Sequence, residues 1–177
     1  MALVVNQNSY IDVATADTYF ANRLYADAWT STAVPQKEQA LVMATRAIDR
    51  QVFIGAKKLD DQPLQFPRRY PFRAHDIWRK WFQFNITDQW ETLYVEGASW
   101  WADIDVPQAV KDATCEEALA LLERGNSQRR KLQQEGVQSA SIGSLSETYR
   151  PGTARGLLSQ EALELLRPYI AGAVVIT

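Results

Sequence analysis

Five of the chain's six tryptophans fall between Phe66 and Trp101, and the stretches on either side of them carry helical periodicity. Rings of this size contribute most when buried in a core or an interface, so such a density does not suit a solvated linker. The chain is therefore expected to be helical at both flanks and interrupted by an ordered, aromatic-rich insertion of irregular or hairpin structure. Within the insertion, ITDQWETLYVEG holds enough β-branched and aromatic residues for a strand.

The flanks support this division. In SYIDVATADTYFANRL, Tyr10 to Val13 alternate as a short extended segment. A helix follows from about Thr15, taken as its N-cap, with Ala16, Tyr19, Phe20 and Leu24 on one face. Pro35 sits where a first-turn proline is tolerated, and Leu41, Ala44, Thr45 and Ile48 repeat at helical spacing down QKEQALVMATRAIDR. Gly55 and KKLDDQP break that period. Pro107 opens a further helix with Val110, Thr114, Ala118, Leu121 and Leu122 as its apolar stripe and Gly125 as its stop. NSQRRKLQQEG reads as a solvated helical continuation or linker, and VQSASIGSLSETYRPGTARG as an extended arm or loop. Ser159 caps a last helix with Ala162, Leu165, Leu166 and Tyr169 inward, and AVVIT is strand-like. The fold class expected is mainly α: a small helical bundle with an aromatic-rich insertion at 68–105 and extended C-terminal arm segments at 137–158, all within one domain over 1–177.

Composition narrows the chemistry. A single cysteine, Cys115, allows no internal disulfide, and with a single histidine, His75, the chain lacks the usual zinc ligands. MALVVNQNSYIDV has neither a basic leader nor a long apolar run, and no later stretch is long enough to span a membrane, so a cytosolic chain with no membrane partner is expected. No nucleophile motif surrounds His75, and Cys115 reads as a small, half-buried helical residue. Asp60 with Asp61, and Glu116 with Glu117, are adjacent acids that point in different directions on a helix and read as solvated charge. Walker, GxGxxG and HExxH patterns are absent. No enzyme and no cofactor is expected.

The formal net charge of −2 argues against a surface that binds nucleic acid all over, so such an activity would have to reside in a patch. Two patches stand out: Arg68, Arg69, Arg73, Arg79 and Lys80, and Arg124, Arg129, Arg130 and Lys131. In the first, PLQFPRRYPFR interleaves rings with arginines, which would let bases stack while guanidinium groups neutralise phosphates. The same residue types are enriched at protein interfaces, the reading that the acidic net charge favours here.

The landmarks SYIDVATADTYFANRL, EQALVMATRAIDR, QPLQFPR, VPQAVKDATCEEALALL and VQSASIGSLSETY follow one another from about Ser9 to Ile170. In this order the chain resembles the head-tail connector, or neck adaptor, proteins of tailed bacteriophages, a family often labelled DnaT-like single-stranded DNA-binding protein. The resemblance implies a small helical subunit of a dodecameric ring beneath the portal protein. It would bind portal on one side and a stopper or tail-completion protein on the other, and pass double-stranded DNA without reading it. Its place would be the virion neck, assembled in the bacterial cytoplasm. The family often has a shorter connection between QFPR and VPQAVK, so RYPFRAHDIWRKWF begins an elaboration.

A ring subunit needs lateral surfaces and segments that pair backbone to backbone with neighbours. The residues expected to meet partners are Arg68, Arg69, Tyr70, Phe72, Arg73, Trp78 and Trp81 in the insertion, Ile142 and Tyr149 in the arm, and Val174, Val175 and Ile176 at the end. The alternative is a single-stranded DNA-binding accessory protein that uses the basic-aromatic cluster.

Overall fold

The computed structural model describes residues 2–71, 90–95, 98–125, 139–142, 145–148 and 156–171. Its core is helical, as the flanking periodicity predicts. Helix α1 spans Val13–Ala21, but its cap is Asp12 rather than Thr15, since the Asp12 carboxylate accepts the Thr15 amide at 2.8 Å. A charged acceptor at the positive end of the helix dipole makes the stronger cap. The helix ends before Leu24, which is 77% exposed and not on the core face as expected.

A single turn, α2 (Asp27–Thr30), brings in the one tryptophan outside the insertion. Trp29 is buried, donates its indole N–H to Asp17 at 2.7 Å, and lies beneath the Lys37 ammonium, which also reaches Asp17. Helix α3 (Val34–Asp49) has Pro35 in its first turn and buries Leu41, Ala44, Thr45 and Ile48, the stripe read from its period. Helix α4 (Gln108–Arg124) starts after Pro107 and ends at Gly125, and packs on α3 and on α5 (Gln160–Leu166). Ser159 caps α5 through its hydroxyl, which accepts the Ala162 amide at 3.1 Å. Ala162, Leu166 and Tyr169 close the core beside Phe53 and Phe66.

Between α3 and α4 runs an antiparallel sheet: β1 (Ala56–Lys57), β2 (Arg68–Pro71), β3 (Trp90–Val95) and β4 (Ala98–Asp103), in the order β1-β2-β4-β3. β3 falls within ITDQWETLYVEG, the segment read as a strand. Its hairpin with β4 is in register from Trp90 opposite Asp103 to Val95 opposite Ala98, and β2 pairs with β4 through Arg69 opposite Ala102. The Ser/Gly-rich stretch holds a second hairpin of β5 (Ser139–Ile142) and β6 (Leu145–Thr148). Ile142 pairs with Leu145 in this hairpin.

Helix α4 carries a correction. Glu116 and Glu117 are not solvated: both are buried. Glu116 receives a forked ion pair from Arg23, at 2.5 Å from Nε and 2.8 Å from Nη2, and a hydrogen bond from the Tyr19 hydroxyl at 2.7 Å. Arg23 also reaches Glu161 of α5 at 2.9 Å. Glu117 accepts the backbone amides of Leu158 and Ser159 at 2.9 Å each. The two neighbours do point in different directions, and each finds a partner that offsets the cost of removing it from water. Cys115 beside them is likewise fully rather than half buried, with burial pushing its thiol pKa up, which leaves it chemically inert.

Candidate nucleic-acid interface

The sequence predicts that the segment from Pro63 to Pro71 presents two arginines and a tyrosine to a partner. The structure separates them. Arg68 is turned into the protein and only 4% exposed. Its guanidinium donates to the carbonyls of Ile54 at 2.9 Å, Gly55 at 2.8 Å and Phe53 at 3.3 Å, and to the Gln65 side chain at 2.8 Å. It also lies over the rings of Phe53 and Phe66. A planar fork of five donors suits this work, because the chain reverses around it and leaves several carbonyls pointing inward. Arg68 thus braces the fold, and its side chain is not offered to a partner.

The turn around Arg68 is tight. Gly55 has a φ of +77°, and a Cβ there would lie 2.3 Å from the Arg69 carbonyl oxygen. Only glycine meets both conditions without strain.

Tyr70 is half-buried and packs against the core, and its hydroxyl lies 3.4 Å from a carboxylate oxygen of Asp103. Asp103 is itself buried, and its second strong contact is the Arg68 backbone amide at 3.1 Å. Burial pushes its carboxyl up to about 7, against the opposing pull of those two hydrogen bonds and of the Arg68 and Lys58 charges. Burial and the Asp103 charge raise the Tyr70 phenol as well. A second, half-buried acid, Asp49, accepts the Tyr10 hydroxyl and is likewise raised by burial. Beneath the cluster therefore lies a polar seam whose acids bond mainly to neutral donors.

Arg69 alone of the three points outward. It meets Asp60 at 3.2 Å, and the Asp60 side chain is 91% exposed. Of the other expected contact residues, Phe72, Arg73, Trp78, Trp81, Tyr149, Val174, Val175 and Ile176 lie outside the described residues, as do His75, Arg79, Lys80, Arg129, Arg130 and Lys131. Ile142 is on β5, in a different sheet from Arg69.

A groove of about 570 Å³ runs between α1 and α4, lined by Thr15, Thr18, Asn22, Gln108 and Lys111. Its polar groups are largely occupied locally: Thr18 donates to the Ala14 carbonyl, Gln108 to Asp112, and Lys111 pairs with Asp105. Among the described residues no cluster of His, Cys, Asp and Glu could hold a metal ion, and no helix is long and apolar enough to cross a membrane.

No curated protein and no solved structure matches the chain. Residues 2–79, which carry α1 to β2 and the whole Arg68 brace, match the family model described as "Putative DnaT-like ssDNA binding protein", and over that segment the chain is similar to this family.

Proposed function

We propose that the protein is a non-catalytic, single-stranded DNA-binding accessory protein. The observation that carries this reading is the similarity of residues 2–79 to the DnaT-like family. Charge is compatible with it. From Arg46 to Arg73 there are seven arginines and lysines against three aspartates, in a chain whose formal net charge is −2. Positive charge is thus gathered in the matched segment, where a polyanion would be attracted.

The test is a titration of the purified protein with oligothymidine and with a duplex of equal length, read by tryptophan fluorescence. Preferential quenching by the single strand, weakening as salt rises, is the expected result. No response to the single strand at low salt overturns the proposal.

A second reading is favoured by the sheet edges. Among the described strands, β3 is the outer strand of its sheet and β5 pairs only with β6. Edges of this kind accept strands from neighbouring molecules. They suit a subunit of a bacteriophage neck ring, set between portal and stopper proteins in the virion, with DNA passing through the centre. Assembly into a closed ring, measured by sedimentation or native mass spectrometry alone and with a portal protein, separates this reading from the first. A protein that stays monomeric with portal and binds oligothymidine excludes the ring.

A further inference from the structure

Leu24 and Tyr25 lie between α1 and α2, and at 77% and 84% they are the most exposed large apolar side chains among the described residues. Tyr25 also has a φ of 59°, a left-handed backbone that a bulky residue adopts only under strain. The loop is nonetheless fixed. The Arg23 guanidinium donates to the Leu24 carbonyl at 2.8 Å and reaches the Tyr25 carbonyl at 3.5 Å, while its other nitrogens hold Glu116 and Glu161. On the far side Ala26 is buried. The core thus grips both ends of the loop and holds two apolar side chains out in water, where they add nothing to the stability of the monomer. A partner that covers them accounts for the arrangement, and tyrosine is among the residues that most often anchor such contacts.

Charge argues for a protein partner rather than a nucleic acid. Arg23 is spent on two glutamates, and Asp27, two residues past the tyrosine, is exposed with no side-chain partner among the described residues. Phosphates would be repelled there.

The chain itself carries a matching surface. The groove between α1 and α4 is bordered by Asn22 and Arg23, the residues immediately before the tip. Ile11 and Cys115, both buried, give it an apolar floor. Of its charged groups, Asp112 is engaged by Gln108 at 2.8 Å, whereas Lys111 is held only loosely by Asp105 at 3.6 Å. An apolar floor between polar walls suits a tyrosine, whose ring is apolar and whose end is polar. Tip and groove adjoin on one surface, as a two-fold pair requires, since each copy then gives its tip to the other through one self-complementary patch. A head-to-tail contact would need them on separate surfaces.

The geometry points to a two-fold dimer in which Leu24 and Tyr25 of each copy enter the groove between α1 and α4 of the other, bringing Asp27 against Lys111. This inference rests on neither functional reading above. The tip supplies the apolar anchor, and the unpartnered acid beside it meets the loosely held cation of the groove.

The test is sedimentation equilibrium of the full chain between about 1 and about 500 μM, a range that brackets micromolar association. The wild type is expected to pass from monomer to dimer as concentration rises. Leu24→Ser with Tyr25→Gly should weaken the dimer at least about thirtyfold, the effect of losing an anchoring side chain. Glycine suits the positive φ, so this variant should match or exceed the wild type in its urea midpoint. Asp27→Lys and Lys111→Glu should each weaken the dimer several-fold, and the two together should restore it.

A wild type that stays monomeric throughout overturns the inference, as does a dimer that the tip variant leaves intact. Charge reversals that weaken the dimer singly without restoring it together overturn it too, because Asp27 and Lys111 would then not face each other. A monomeric wild type whose tip variant loses affinity for oligothymidine also overturns it, and gives the tip to nucleic acid instead.

Discussion

Two buried seams hold this protein together, and they treat charge in opposite ways. Where α1, α4 and α5 meet, Arg23 is forked onto Glu116 and touches Glu161, so charge meets charge. Beneath β2, Arg68 is satisfied by neutral carbonyls, while Asp103 bonds to a backbone amide and a phenol. A direct ion pair shares the cost of leaving water between its members. A charge held by dipoles alone bears that cost individually and passes it into pH dependence. The first seam is thus a clasp of paired charges, and the second is a brace that is responsive to protons.

The harshest way to break the comparison is at Arg68. Arg68→Met keeps the bulk over Phe53 and Phe66 but leaves the carbonyls of Phe53, Ile54 and Gly55 without their donor. It is expected to cost roughly 3 kcal/mol or more, read from the urea midpoint. Stability close to the wild type would show that the carbonyls find water instead. Next in size is Glu117→Gln, where a neutral acceptor replaces the carboxylate that holds the Leu158 and Ser159 amides. A loss of about 1.5–3 kcal/mol is expected by the same measurement.

Asp103→Asn sharpens the contrast through pH. The folded carboxyl sits at about 7 against an ordinary value of 3.8, so the native state keeps a proton that the unfolded chain has already lost. The stability due to this group is complete below about 4 and declines as pH rises toward 7, by at most about 1.4 kcal/mol per pH unit. Asp49, also raised, acts with the same sign. The asparagine variant should decline less than the wild type across that window, as measured by denaturation at several pH values. Equal declines would assign the proton to another group. The smallest effect is expected at Asp60→Asn, within about 0.5 kcal/mol, because the Asp60 carboxylate is almost fully exposed.

The helices were legible because they obey local rules. The α3 stripe follows from residues three and four apart, and the Ser159 cap from a side chain that meets the backbone three residues on. The seams were not legible, because their partners are far apart in the chain. Glu116 finds Arg23 93 residues away, and Glu117 finds Leu158 at a separation of 41. Adjacent acids therefore look alike in sequence, whether exposed like Asp60 and Asp61 or buried like the pair on α4. For the same reason the cluster in PLQFPRRYPFR reads as one surface, although neighbouring positions on a strand face opposite ways and Arg68 and Arg69 separate accordingly.

The segment from Gly156 to Ala171 has a consequence for how the chain matures. Ile54 donates to the Tyr169 carbonyl at 2.8 Å, Ala171 to the Val52 carbonyl at 2.9 Å, and the Tyr169 ring stands edge-on to Phe66 at 5.5 Å. A core that closes only on contacts more than 100 residues apart cannot be finished while the protein is still emerging from the ribosome with that segment unmade. Until it arrives, Phe53 and Phe66 lack a cover, and the nascent chain carries an open apolar seam of the kind that chaperones recognise.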